Sequence, residues 1–139
     1  MTEFTSAPDL STLEIPIDSW TQPFWDAAAE ARLLLPRCAE CQRFRWPPGP
    51  FCPQCQSQQT QWMAPGTAWV FSFTILRPKQ SDQQTLLHVP ALIEFSQAKG
   101  VRLLAAIVGT PLAAIHIGAE LSLAWLPAAN AKVPVFTIS

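Results

Sequence analysis

Four cysteines in two closely spaced pairs constrain this chain more than any other feature of its sequence. They follow the pattern C-x2-C-x10-C-x2-C, at Cys38, Cys41, Cys52 and Cys55. Two residues between paired cysteines allow both sulfurs to point from one tight turn into a shared cavity, and two such turns supply the tetrahedral sulfur site that zinc prefers. The spacing therefore predicts a small, loop-built module over residues 36–65 with all four cysteines as ligands of a zinc ion.

Two other interpretations of the cysteines stay open on the sequence alone. Disulfides would replace the metal in an oxidising compartment. Iron would make the chain a small electron carrier, because the Cys-Pro-Gln-Cys turn at residues 52–55 resembles that of rubredoxin. A catalytic zinc is disfavoured, because four cysteines complete the coordination and leave no position for water.

A β pattern begins after Pro65 and Gly66, where large and small side chains alternate over residues 67–76. Four further strand candidates follow, at residues 86–96, 101–109, 119–126 and 133–138. Five short strands with a longer connection after the third are typical of the oligonucleotide/oligosaccharide-binding (OB) barrel. We therefore predict a mainly β chain in which residues 66–139 form a five-stranded OB-fold barrel.

The residues before the cysteines divide into a polar tail and an aromatic helix. Residues 1–16 hold Ser, Thr, Pro and acidic residues without a period, which predicts a flexible tail. Further on, apolar side chains recur at steps of three and four, so residues 17–35 are assigned to an N-terminal amphipathic helix of about 12 to 16 residues. Pro23 fits only the first turn of a helix, so a later start with Thr21 or Gln22 just outside is the alternative.

Three large aromatic side chains on this helix exceed what one face of a small barrel needs. Trp20, Phe24 and Trp25 are therefore candidates for contact with a partner protein, with packing inside the chain as the alternative. The third strand candidate is apolar on both faces, so its outer side needs a cover, and the helix is the simplest one. Charged residues make up only 14% of the chain against about 25% in typical proteins, which also favours a covered surface.

The charge argues against strong nucleic-acid binding, because the formal net charge is −1. It is unevenly spread: the first 31 residues carry six acidic and no basic residues, whereas residues 32–139 carry nine basic and four acidic ones. The mild positive bias of the longer part suits a phosphorylated small molecule. Four basic residues near two connecting turns are candidate phosphate contacts, with a solvated rim as the alternative: Arg77, Lys79, Lys99 and Arg102.

No motif of an independent active site occurs in the sequence. The chain has two histidines, His88 and His116, and lacks a nucleophile elbow, a phosphate loop, a dinucleotide fingerprint and an HExxH pair. We therefore expect no catalytic residues and no activity of the chain alone. A run of 18 apolar residues and a secretory leader are also absent, so a soluble cytoplasmic protein without membrane association is expected.

The order of the segments resembles one family. The chain runs from PFWDAAAEARLLLPRC through CAEC and WPPGPFCPQC to GTAWVFSFTIL, VPALIEF, GVRLLAAIVG, IGAELSLAW and VPVFTI. These segments, over residues 17–138, resemble the DUF35 family, in which a helix and a rubredoxin-like zinc ribbon precede an OB fold. The chain departs from the family pattern at three positions. Ala31 and Gln42 stand where glycine is usual, and Gly49 stands where arginine is usual.

The resemblance implies a non-catalytic partner of acyl-CoA enzymes, most often thiolase-like or condensing proteins of lipid, ketone, polyketide or steroid side-chain metabolism. Such a subunit braces the thiolase-like protein in a hetero-oligomer and helps to form its acyl-CoA passage, and some relatives accompany hydratase-like proteins. Zn²⁺ is the implied cofactor, and Arg77, Lys79 and Arg102 become candidate contacts for the phosphates of CoA. A single-stranded nucleic-acid-binding protein is the alternative, because zinc ribbons and OB barrels both serve that function.

Overall fold

The computed structural model describes residues 3–77 and 86–139, and these residues form a mainly β protein with one N-terminal α-helix, as predicted. Its elements are α1 (Gln22–Ala29), β1 (Leu35–Cys38), β2 (Thr60–Met63), β3 (Ala68–Phe73), β4 (Val89–Phe95), β5 (Leu103–Ile107), a 3₁₀ turn (Leu112–Ala114), β6 (Glu120–Pro127) and β7 (Lys132–Ile138). β1 and β2 form a two-stranded sheet within the cysteine module, which we call the ribbon. Lys79, one of the predicted phosphate contacts, lies outside the described residues.

The remaining strands close into a five-stranded barrel, which confirms the predicted OB fold. They neighbour one another in the order β3-β4-β5-β7-β6, and β6 returns to β3. All pairs are antiparallel except β5 and β7, which run parallel because the chain crosses over after the third barrel strand. Period-two alternation places every second residue of β4 in the core, namely Val89, Ala91, Ile93 and Phe95.

One seam of this barrel is joined by a single residue pair. β5 and β7 pair only at Ile107 and Phe136, so the two strands diverge from there. A cleft of about 360 Å³ lies in the gap and is lined by α1 together with residues 103–106 and 133–135. Phe24 of α1 lines this cleft, is only 4% exposed and belongs to the buried core. The helix therefore packs where the barrel is least closed.

The helix does not cover the outer face of β5, so that prediction is wrong. Leu104 is 69% exposed and pairs across the sheet with Leu92 of β4. α1 contacts β7 instead, because Phe24, its largest buried side chain, lies at the seam. Leu104 therefore remains a largely exposed apolar side chain on the outside of the barrel.

The helix is also shorter than the predicted segment over residues 17–35. It begins at Gln22 with Pro23 in its first turn, as the later start requires. Ala31 adopts a φ of 58°, and this left-handed residue ends the helix before Leu35, which begins β1. Among the described residues, no helix has the length and apolar character that crossing a membrane requires.

Residues 3–15 lie along the barrel and are called the strap below. Thr5 is buried, its N–H donates to the Thr110 carbonyl at 2.9 Å, and its carbonyl accepts from the Gly109 N–H at 3.0 Å. Further along, the Asn130 side chain accepts from the Ile15 N–H at 2.8 Å and donates to the Ile15 carbonyl at 2.9 Å. These hydrogen bonds attach both ends of the strap to residues of the barrel module. The strap lies within residues 1–16, for which the sequence predicts a flexible tail.

Candidate metal centre and surrounding surface

Two equivalent turns carry the four cysteines. Cys38 ends β1, and the antiparallel pairing of β1 with β2 supports the first turn. The Gln42 N–H donates to the Cys38 carbonyl at 2.9 Å in this turn, and the Gln56 N–H donates to the Cys52 carbonyl at 2.8 Å in the second. Both glutamines have a φ of 64°, so each turn closes with a left-handed residue directly after its second cysteine.

The four sulfurs converge on one point. All four Sγ atoms lie within 4.8 Å of one another, and the Cys38–Cys55 and Cys41–Cys52 sulfur pairs are each 3.5 Å apart. A tetrahedral ion with metal–sulfur bonds of about 2.3 Å separates its ligand sulfurs by about 3.8 Å. The cysteines are free thiols rather than disulfides, and their donor set fits one four-coordinate metal ion.

The backbone stabilises the charged form of two of these sulfurs. The Cys41 N–H lies 3.5 Å from the Cys38 sulfur, and this contact, together with the Glu40 N–H and the neighbouring sulfurs, lowers the pKa of Cys38 to about 6. The Cys55 N–H likewise lowers the pKa of Cys52. Cys38 and Cys52 are also the buried members of the cluster, so negative charge concentrates on the inner side of the site.

Cys55 is the exposed member and behaves differently. The Ser57 N–H lowers the pKa of Cys55, but the neighbouring sulfurs of Cys38, Cys41 and Cys52 outweigh it and raise the pKa to about 12. Cys55 therefore gives up its proton when a metal ion binds. An ion held by four sulfurs has no position left for water, so this centre can stabilise the ribbon but cannot activate a nucleophile.

The three predicted partner contacts occupy different environments. Trp20 is 50% exposed, Trp25 is half-buried, and Phe24 is buried. The Phe24 ring packs edge-on against Trp25 at a centroid distance of 4.9 Å and lies 5.0 Å from the Trp46 ring of the ribbon. Phe24 therefore joins the helix, the ribbon and the barrel, whereas Trp20 presents its ring at the surface.

Two of the predicted phosphate contacts, Arg77 and Arg102, each have a carboxylate partner. Arg77 donates two hydrogen bonds to Glu3 of the strap, at 2.5 and 3.1 Å. Arg102 donates to Glu94 at 3.3 Å and lies 3.8 Å from the centre of the Phe71 ring. Both positive charges are thus partly balanced within the chain, and contact of either residue with a phosphate stays a prediction.

A second basic cluster lies beside the ribbon and includes Lys99, which the sequence predicts as a phosphate contact. Arg43, Arg45 and Lys99 line a cleft of about 430 Å³ between the ribbon and the β4–β5 turn. Arg43 and Arg45 are not predicted, and the signal that could have found them is their position just after the first cysteine turn. Lys99 comes from the barrel, so only the folded chain shows the three cations together.

Comparison with known proteins identifies relatives of the chain. A model of the ChsH2 rubredoxin-like zinc ribbon domain matches residues 25–61, which hold all four cysteines. A Thermomonospora curvata protein named "Probable enoyl-CoA hydratase alpha subunit" is 37% identical over 116 residues, which are 81% of this chain and 36% of the relative. The chain therefore spans about a third of the length of that curated relative.

Two solved structures share the architecture of ribbon and barrel. A chain of the Ltp2-ChsH2(DUF35) aldolase is 33% identical with a TM-score of 0.76, and the match covers 90% of this chain and 98% of that one. A DUF35 protein of unknown function from Sulfolobus solfataricus is 18% identical with a TM-score of 0.64, over 87% of this chain and 86% of that one, and it supports the fold alone. Because the first match spans nearly all of its chain at this identity, the protein belongs to the DUF35 family.

Proposed function

We propose that this chain is a non-catalytic accessory subunit that binds a thiolase-like or other acyl-CoA enzyme and helps to form the acyl-CoA site of that enzyme. The observation that carries the proposal is the match to the Ltp2-ChsH2(DUF35) aldolase, because it includes the ribbon and the barrel together. The Thermomonospora curvata relative is named as a probable alpha subunit of an enoyl-CoA hydratase. A role as the companion of an acyl-CoA enzyme accounts for both names.

The exposed apolar surface supports a role in assembly. Leu104 on the barrel is 69% exposed, and Trp20 beside the helix is 50% exposed. Large apolar side chains at the surface mark protein interfaces when they form continuous patches, and tryptophan is among the residues that contribute most to binding. Trp20 and the half-buried Trp25 are therefore our candidate partner contacts on the helix side, and Leu104 is the candidate on the barrel.

We propose Zn²⁺ as the ion of the four-cysteine site, with Cys38, Cys41, Cys52 and Cys55 as its ligands. A closed set of four sulfurs is the donor set of structural zinc. Metal analysis should give one zinc per chain in a colourless protein. A red, iron-containing protein from native cells would instead support an electron carrier.

Reconstitution with purified components tests the accessory role. The tagged chain is first isolated from native cells, where we expect a thiolase-like, aldolase or hydratase protein to accompany it. The two proteins are then purified separately and mixed, and size-exclusion chromatography with light scattering should show a complex of fixed stoichiometry. A monomer that neither associates with such an enzyme nor changes its stability would contradict the proposal, as would thioester turnover by the isolated chain.

A further inference from the structure

The basic cleft beside the ribbon is built from both modules of the chain. Residues 42–46 and the second cysteine turn form one side, and the β4–β5 turn with Lys99 and Gly100 forms the other. Its volume of about 430 Å³ lies within the range of about 300–1,000 Å³ that is usual for small-molecule sites. The cleft is therefore large enough for a ligand and has walls whose relative position depends on the fold of the whole chain.

Three cations line this cleft, and none of its described lining residues is acidic. Arg43 and Lys99 are exposed, and neither forms an ion pair with another described residue. Arg45 is only 7% exposed; its Nη2 donates to the Gly49 carbonyl and the Thr60 hydroxyl, but its Nε and Nη1 have no hydrogen-bond partner in the described part of the chain. A buried guanidinium without a carboxylate is costly, so this region favours an anion.

The metal site offsets only part of this positive charge. Cys52 lines the same cleft, and four thiolates around a divalent ion carry a formal net charge of about −2. The three cations of the cleft exceed this charge. Arg45 lies within the wall and contributes through its field, whereas the exposed Arg43 and Lys99 are free to contact a ligand directly.

The other walls of the cleft suit a base. Phe44 and Trp46 supply aromatic surface, and Gln42, Gln54 and Gln97 supply amides that both donate and accept hydrogen bonds. Aromatic side chains bind nucleobases by stacking on their faces. A bare phosphate needs only the cations, so the combination favours a ligand that carries phosphates and a planar base.

We infer that this cleft binds a phosphorylated adenine nucleotide, namely the 3′-phospho-ADP end of coenzyme A. The choice of nucleotide rests on the proposed function, whereas the class of ligand rests on the cations and aromatic rings of the cleft. Arg43 and Lys99 contact the phosphates, and the adenine lies against Trp46 or Phe44. Arg77 and Arg102 differ from them, because each already has a carboxylate partner.

Nuclear magnetic resonance titration of the full, zinc-bound chain tests this site. The probes are adenosine 3′,5′-bisphosphate and coenzyme A, with adenosine and inorganic phosphate as partial ligands. We expect saturable shifts at the backbone amides of residues 43–46 and 99–101 and at the Trp46 indole. The bisphosphate should bind more tightly than either partial ligand, and its affinity should fall as salt is added.

Single charge deletions supply the quantitative test. Arg43→Ala and Lys99→Ala should each weaken the bisphosphate by roughly tenfold, because a hydrogen bond to a charged group contributes about 1.5 kcal/mol or more. Lys99→Arg should keep most of the affinity. Arg32→Ala is the matched control, because Arg32 is exposed, pairs with Glu30 and lies outside the cleft.

Several results would overturn the inference. These are the absence of saturable binding by the bisphosphate, unchanged affinity in Arg43→Ala and Lys99→Ala, and loss of binding in Arg77→Ala or Arg102→Ala instead. Tighter binding of a single-stranded oligonucleotide than of the bisphosphate would favour a nucleic-acid protein. Association with the partner enzyme is measured without nucleotide, so the proposed function and the nucleotide site can fail independently.

Discussion

Ala31 and Gln42 stand where the DUF35 pattern has glycine, and the backbone explains that preference. Ala31 has a φ of 58° and Gln42 has a φ of 64°. A residue with a Cβ atom is disfavoured in this left-handed region by about 1–2 kcal/mol. The sequence shows that both glycines are replaced, but only the structure shows that one position ends α1 and the other closes the first cysteine turn.

Glycine at either position should stabilise the chain. Ala31→Gly and Gln42→Gly should each raise the free energy of unfolding by about 0.5–1 kcal/mol, because relief of the left-handed conformation exceeds the entropy that glycine adds to the unfolded state. Urea denaturation followed by tryptophan fluorescence measures the change. The matched control Ala29→Gly, in the last turn of α1, should destabilise by up to about 1 kcal/mol. Destabilisation by all three changes would contradict this explanation.

Cys38→Ser should abolish tight metal binding. Cys38 is buried, its thiolate is favoured by the Cys41 N–H, and a serine hydroxyl is a poor substitute for a thiolate on zinc. We expect zinc affinity to fall by more than about 100-fold, measured by competition with a chelator. Gln54→Ala is the control in the second turn, because it removes a side chain that donates no sulfur. A full equivalent of tightly bound zinc in Cys38→Ser would exclude this residue as a ligand.

At the scale of elements, the sequence predicts the strands more closely than the helix. β4, for example, falls inside the predicted segment over residues 86–96, because alternate burial leaves a clear period of two. The helix is predicted too long, because Ala31 and Leu35 continue its apolar period. The left-handed conformation of Ala31 ends the helix and places Leu35 in β1, and no periodicity of side chains reveals that conformation.

Gly66 joins the ribbon to the barrel at a close approach of two segments. Its φ is +93°, and a Cβ atom there would lie 2.8 Å from Gln97 Cγ and 3.2 Å from the Gln97 backbone nitrogen. Gly66→Ala should therefore lower the free energy of unfolding by about 1–3 kcal/mol. Gly49→Ala is the matched control, because nothing lies within 4 Å of the added atom. Chemical denaturation that finds equal losses in both variants would refute the argument.

The strap should loosen in acid. Hydrogen bonds from Arg77 hold the pKa of Glu3 below its ordinary value of 4.5. Because this pKa is lower in the folded chain, the pair stabilises the strap above pH 4.5, and the stabilisation is lost as the pH falls through the lowered pKa. Hydrogen-exchange protection of the Thr5 and Leu112 amides, which bond to the barrel and to Glu3, should fall in that window.

Arg77→Ala is the control for the strap. This variant removes the partner that lowers the pKa of Glu3, so protection of the same amides should be weaker above pH 4.5 and should change less with pH. An unaltered pH dependence in Arg77→Ala would show that another group governs the strap.

At the scale of the whole molecule, the expected apolar surface is present, but its place could not be predicted. Low charge and a third barrel strand that is apolar on both faces indicate a covered surface. The sequence cannot show that α1 packs at the seam between β5 and β7 and leaves Leu104 exposed. The basic cleft escaped prediction for a similar reason, because Arg43 and Lys99 belong to different modules.

Leu104→Glu should weaken association with the partner enzyme and leave the fold intact. A carboxylate at the centre of an apolar contact must be desolvated, so we expect affinity to fall by roughly tenfold or more, measured by calorimetry with the purified partner. Because Leu104 is exposed, the free energy of unfolding should change by no more than about 0.5 kcal/mol. Leu13→Glu is the control, since Leu13 is 47% exposed on the strap. Equal weakening by both variants would point to a general effect of charge.

Because β5 and β7 pair sparsely, α1 contributes to closing the barrel. β4 pairs with β3 and with β5 through five residue pairs each, β6 pairs with β7 through seven, and β3 pairs with β6 through two, whereas this side has one residue pair and the ring of Phe24. Side-chain packing there adds to a main-chain contact that is limited to Ile107, Val108 and Phe136. A fragment trimmed to the five barrel strands would consequently lack the piece that finishes its own wall.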